Sequence, residues 1–248
     1  MNFWTPERIS EDEFRLNASA AGCVGVPGRY AMMGGVTSAA VITAMEVVTG
    51  KQLLWSTTQF ISHAPSEVDF DIKIVLLTEG GRTVQARGSL FVGERLVLET
   101  SAALSDASDE SGEQYVQPLA RVAPESCELK DPESVSGGLL DQFERRTAYQ
   151  NDVDGREALW FRFKDRPRMS SAVVAVLGDF LPGAITQTRG SSSVDNTIRI
   201  NRLEESEWVL AESHVQALQG RIYQGEMRLF AESGVLLGTA SQTGIRPR

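Results

Sequence analysis

The chain is 248 residues long, 42% hydrophobic, 23% charged and 7% aromatic, an ordinary globular balance with length for one large core or two smaller ones. Its net charge of −9 argues against a nucleic-acid binder, which needs a basic face to neutralise phosphates. No apolar run approaches the ~20 residues that cross a bilayer, so no membrane insertion is expected. The N-terminus lacks the basic start and apolar stretch of a signal peptide. Two cysteines, Cys23 and Cys127, cannot build a disulfide framework and point to a reducing, cytoplasmic setting. Two histidines leave little for a metal site, and none is expected. HExxH, paired CxxC, GxSxG, Walker-type and GxGxxG patterns do not occur.

In chain order, the first element is a helix from Gly34 to Val48, almost wholly apolar after a small-residue entry and closed by Gly50. Val68–Leu76 alternates apolar and charged residues, the pattern of a strand with one wet face. Glu79-Gly80-Gly81-Arg82 turns into a strand over Thr83–Val92, and Val92-Gly93-Glu94 turns into another over Arg95–Ser101. Ser105–Glu113 is acidic and turn-rich, a solvated linker. A second apolar helix covers Ser170–Phe180, with serine caps and Pro182 as its stop. Strands follow at Thr197–Asn201, Trp208–Glu212, Arg221–Phe230 and Val235–Gln242, with Glu232-Ser233-Gly234 as a turn.

Helix followed by strands therefore occurs twice, and the turn glycines Gly81 and Gly93 match Gly220 and Gly234. The pattern reads as an internal duplication, although glycine turns at such intervals are common in any α+β protein. A long antiparallel sheet wrapped around one apolar helix is the economical way to bury such a helix. The expected fold is α+β, a tandem (double) hotdog with two antiparallel sheets, each wrapped around a central apolar helix. The expected boundaries are an N-terminal hotdog at 1–115, a linker at 116–135 and a C-terminal hotdog at 136–248.

Several segments resemble the acyl-CoA thioesterase II family of TesB-like double-hotdog enzymes. They are Gly34-Gly35, Ser56–Pro65 and Leu77–Arg87 in the first copy, and Leu177-Gly178-Asp179-Phe180, Ser193–Ile198, Glu207–Leu210 and Gly234–Arg246 in the second. The resemblance runs from about Gly28 to Arg246 and is weakest between about Gly112 and Ala158. It implies thioester hydrolysis by a water held between an Asp, a Ser or Thr and a Gln of the second copy. Position by position, the Asp falls on Asp195 and the Gln on Gln242. The hydroxyl position falls on Gln216, which has no hydroxyl, and Asn196 stands where the family commonly has His.

An aspartate within hydrogen-bond reach of a water can take its proton, and partial burial raises its pKa toward a useful range. A glutamine orients a water without carrying charge. The helix start at Gly34-Gly35 offers free N–H groups unscreened by side chains, an expected oxyanion site. Each residue also has a plain structural reading: Asp195 as a turn or strand-start residue, Gln242 as a buried amide with partners, Gly34-Gly35 as a tight helix entry. Asp179 near a helix end opposes the helix dipole and implies a hydrogen-bonding or site-adjacent job. His63 and His214 read as surface or interface residues. Arg82, Arg87 and Arg221 are cations that a CoA phosphate could meet, with none preferred.

The expectation is hydrolysis of acyl-CoA, with Asp195 as base and Gln242 and Gln216 holding the water, no cofactor, and a homodimer or higher homo-oligomer. The competing reading is a non-catalytic acyl-CoA or acyl-chain binder. A hotdog hydratase or dehydratase ranks last, since neither histidine lies at a helix start.

Overall fold

The computed structural model describes residues 3–26, 29–78, 80–106, 112–130 and 137–247. Gly28, Glu79 of the expected hairpin turn, most of the acidic stretch and part of the expected linker lie outside the described residues.

The first half carries β1 (Glu7–Arg8), β2 (Glu13–Leu16), β3 (Cys23–Val26) and β4 (Arg29–Met32), then helix α1 (Gly34–Thr49). After it come β5 (Gln52–Phe60), β6 (Phe70–Leu76), β7 (Thr83–Val92) and β8 (Arg95–Ser105). The second half opens with β9 (Glu128–Leu129), β10 (Phe143–Asn151) and β11 (Arg156–Phe163), then helix α2 (Ser171–Leu177). It closes with β12 (Ser192–Ile200), β13 (Val209–Gln219), β14 (Ile222–Ala231) and β15 (Leu236–Ile245).

Thirteen strands form one antiparallel sheet in the order β1-β2-β6-β7-β8-β5-β12-β15-β14-β13-β11-β10-β9, and β3-β4 pair separately. The two expected sheets are thus one. β6-β7-β8-β5 meets β12-β15-β14-β13 at its centre, the same strand order on either side of the β5–β12 seam. That seam pairs Asp195–Arg199 with Gln59–Trp55 and removes two edges that would otherwise invite aggregation. The outer strands β1 and β9 are two residues each, so the sheet ends offer little ladder for the expected association of edges.

Helix α1 is buried at ten of its sixteen residues, which explains its nearly all-apolar sequence. Gly50 ends it in the left-handed conformation (φ 66°), a position where glycine has no Cβ penalty. A Cβ on Gly88 of β7 would fall 2.4 Å from Val41, so the missing side chain lets α1 settle directly on the sheet. Helix α2 is shorter than expected. Ser170 caps its start by accepting from Val173 N–H, and the helix ends at Leu177, leaving Gly178, Asp179 and Phe180 outside it. The α1 and α2 ends touch: a Cβ on Gly35 would sit 3.0 Å from the carbonyl oxygens of Ala175 and Val176. Among the described residues no helix is long and apolar enough to cross a membrane.

Candidate active site

Because α2 stops at Leu177, Asp179 is free to turn toward the start of α1. Its carboxylate is 5% exposed, and Oδ2 accepts a 2.6 Å hydrogen bond from Gly35 N–H. An acid that would oppose the dipole of its own helix therefore sits at the favourable N-terminus of the other. Oδ1 accepts from Gln242 Nε2 and, at 3.4 Å, from Ser193 Oγ. Asn196 adds a further side-chain contact and donates to Gly178 O at 3.2 Å. Burial pushes the Asp179 carboxyl up to about 6, against the lowering effect of its Gly35, Gln242, Ser193 and Asn196 hydrogen bonds.

Two acceptors in this cluster have no partner. Gln242 is 3% and Asn196 1% exposed, and both Gln242 Oε1 and Asn196 Oδ1 are buried and unsatisfied in the described structure. A buried orphan acceptor is costly, so two beside one carboxylate mark a place for a donor such as water. Asp179, Gly34 and Ser193 line a cavity of about 570 Å³ that also runs past His63, Phe60 and Phe180.

Two residues expected from the sequence are not in this cluster. β12 bulges between Ser193 and Asp195: Ser193 opposes Gly244, and Asp195 opposes Thr243. One extra residue flips the faces, so Ser193 joins Asn196 and Gln242 on the helix side while Asp195 turns to the other. There Asp195 Oδ1 accepts from Thr243 N–H at 3.0 Å. Gln216 is the extra residue of a second bulge, between Val215 and Ala217 of β13, and its side chain is exposed. Gln242, Gly34 and Gly35 are brought together, but the Gly35 amide serves Asp179 rather than standing open for a substrate oxygen. Arg87 pairs with Glu99 and Arg221 with the Arg246 carbonyl; neither lines the cavity.

Residues 120–246 match the family model of the acyl-CoA thioesterase C-terminal domain. The chain belongs to the acyl-CoA thioesterase family, and with it to the thioester hydrolases. No curated protein matches it. Among solved structures, a candidate thioesterase of Novosphingobium aromaticivorans is similar over 100% of both chains at 26% identity, TM-score 0.93. The tesB protein of Mycobacterium avium subspecies paratuberculosis covers 99% of this chain and 97% of its own at 19% identity, TM-score 0.81. A hot-dog-fold protein of unknown function from Alicyclobacillus acidocaldarius covers the same shares at 16% identity, TM-score 0.85. The fold is a hotdog fold.

In this thioesterase the sequence left one trace of the carboxylate at the centre of this cluster: Asp179 is out of place as a helix-terminal residue. Ser193 left none, since its side chain reaches the site only through the bulge. Among the described residues no group of three or more His, Cys, Asp or Glu is arranged to hold a metal ion.

Proposed function

We propose that the protein hydrolyses the thioester of acyl-CoA to a free acid and CoA, with Asp179 as the group that activates water. The observation that carries this reading is the buried Asp179 carboxylate on the cavity wall, held by Gly35, Gln242 and Ser193. An ionised carboxylate only accepts hydrogen bonds, so Gln242 presents its NH₂ to Asp179 and keeps Oε1 as a buried acceptor with no partner among the described residues. A water donating one O–H to Gln242 Oε1 and the other to Asp179 is oriented with its lone pair free for the carbonyl carbon. As the C–O bond forms, Asp179 takes the proton and later returns it to the departing CoA sulfur. Gly34 N–H, at the positive end of α1 and on the same wall, polarises the carbonyl oxygen.

An Asp, a Ser and a Gln thus surround the reacting centre, the same three kinds of group that the resemblance implied, with the Asp and the Ser supplied from other positions. In the same reading the two halves, 1–115 and 136–248 with 116–135 between them, are tandem hotdogs whose joined sheet wraps the α1–α2 pair. The two free, buried cysteines support a reducing, cytoplasmic setting.

Release of free CoA from a chain-length series of acyl-CoA, wild type against Asp179→Asn, tests the reading. Turnover in the wild type and a loss of about 100-fold or more in the variant are expected. A wild type that binds acyl-CoA tightly yet never releases CoA is the non-catalytic binder instead.

A further inference from the structure

Behind the wall that holds Asp179 lies a polar group that the proposed reaction does not use. Tyr223 of β14 is fully buried, and its phenol lies across β15: a Cβ on Gly244 would fall 2.2 Å from the hydroxyl oxygen. In the sheet register Tyr223 opposes Gly244 from one side, and Ser193 opposes it from the other. The ring therefore crosses the strand between them, on the face that carries Gln242. Its hydroxyl is delivered toward the start of β12, where Ser193 reaches Asp179. Glycine at position 244 leaves that path open.

The hydroxyl serves packing poorly. Tyr223 Oη and Ser191 Oγ are both buried, and neither has a partner in hydrogen-bond geometry among the described residues. The two are neighbours all the same: Ser191 counters part of the rise that burial, and after it the Asp179 charge, impose on the phenol. Tyr223 thus keeps its proton and acts as a neutral hydroxyl. A buried hydroxyl without a full partner costs stability, and phenylalanine would fill the same space without that cost. Ser191 lines the cavity together with Ser193 and Asp179, which sets the pair beside the site rather than in the core at large.

We infer that Tyr223 is a positioning residue of the hydrolytic site: its hydroxyl, closing on that of Ser191, fixes the start of β12 so that Ser193 keeps its hydrogen bond to Asp179. The inference rests on the thioesterase reading of Asp179 and deepens it. At 3.4 Å the Ser193 bond is longer than the 2.6 Å bond from Gly35, so it is the more easily lost when the strand start drifts. Hydroxyls in line also strengthen one another. Tyr223 acts through Ser191 and Ser193, without touching substrate.

Tyr223→Phe deletes the hydroxyl and leaves the ring. Per folded molecule, kcat for acyl-CoA should fall about five- to tenfold with KM unchanged, while the urea midpoint stays at or above that of the wild type. An unchanged kcat, a loss carried by KM, or a marked loss of stability overturns the inference. Ser191→Ala leaves the phenol in place and should lower kcat by the same factor, and the double variant should lose no more than either single one. Additive losses would show that the two hydroxyls act apart.

A titration of the Asp179 carboxyl by carbon-13 NMR, which needs no turnover, keeps the two claims separate. The groups that face Asp179 are neutral: Gly35 N–H of α1, Ser193 and Asn196 of β12, and Gln242 of β15, with the protonated Tyr223 of β14 beyond them. Tyr223→Phe therefore changes no charge, and weakening a donor to the carboxylate should raise its midpoint. An unmoved midpoint sinks the role of Tyr223 whether or not the thioester is cleaved. A raised midpoint in a protein that never releases CoA sinks the hydrolase and keeps the Tyr223–Asp179 coupling.

Discussion

Asp179 is held at an energetic cost. Its folded-state carboxyl lies near 6 against an ordinary 3.8, a gap of about two units or on the order of 3 kcal/mol. The sign follows from linkage: a raised acid stabilises the fold below its unfolded pKa, and that contribution is lost as pH rises through about 6. Asp179→Asn removes the buried charge, so at pH 8 the variant should unfold at higher urea than the wild type, with the gap closing toward pH 4. A variant less stable than the wild type at both pH values would contradict the burial argument. On the proposed role of Asp179, this cost is the trade of stability for activity that is common at active sites. Asp195→Asn and Gln216→Ala belong to the same scale. Both side chains sit off the cavity face, and each variant should keep kcat/KM within about threefold, since hydrolysis loses no group that touches water. A hundredfold loss in Asp195→Asn would return the catalytic role to the other face of β12. Gln242, Gly34 and Gly35 were legible in the sequence because their chemistry is unusual for their surroundings. The face on which Asp195 lies was not legible, because a bulge depends on the partner strand's hydrogen bonds, which no local pattern announces.

The contact between the start of α1 and the end of α2 decides where Asp179 points. Gly35→Ala brings a Cβ to 2.7 Å from Asp179 Cβ and 3.0 Å from two carbonyl oxygens. Alanine gains up to about 1 kcal/mol of helix propensity, but overpacking costs about 1–3 kcal/mol, and backbone carbonyls cannot swing aside. The variant should therefore be destabilised in urea and lose activity beyond the loss of folded protein; a gain in stability would show that the helix ends can part. Elements with a strong local signal, such as α1 with its glycine stop and the β7–β8 hairpin, fall where the sequence places them. The β10–β11 hairpin was not foreseen. β11 is buried at six of its eight positions, so its run from Glu157 to Phe161 shows no alternation, and periodicity alone cannot separate such a strand from a buried helix.

Across the whole molecule, the halves are bound by more than a linker. β5 pairs with β12, Ser171 Oγ donates to Glu46 Oε1 at 2.7 Å, and Trp4, 3% exposed, stacks edge-on against Phe163 of β11. Residues 136–248 expressed alone would expose the β12 edge and the buried face of a seven-residue α2, too short to persist unsupported. They should aggregate or remain unfolded by circular dichroism, and co-expression with residues 1–135 should restore a soluble, active complex. Independent folding of the second half would show that the seam is dispensable. The repeated order of helix and strands was legible in the sequence because each half keeps its own helix and turns; the single sheet was not, since a seam between the halves is a property of both. The site belongs to that seam, with Gly35 from one half and Asp179, Ser193 and Gln242 from the other. The most direct measurement is the pH dependence of kcat/KM for acyl-CoA hydrolysis. Asp179 as base predicts a rate that climbs with pH through about 6 and then levels, with that rise absent in Asp179→Asn; a wild-type profile flat from pH 5 to pH 8, or the same rise persisting in the variant, would contradict it.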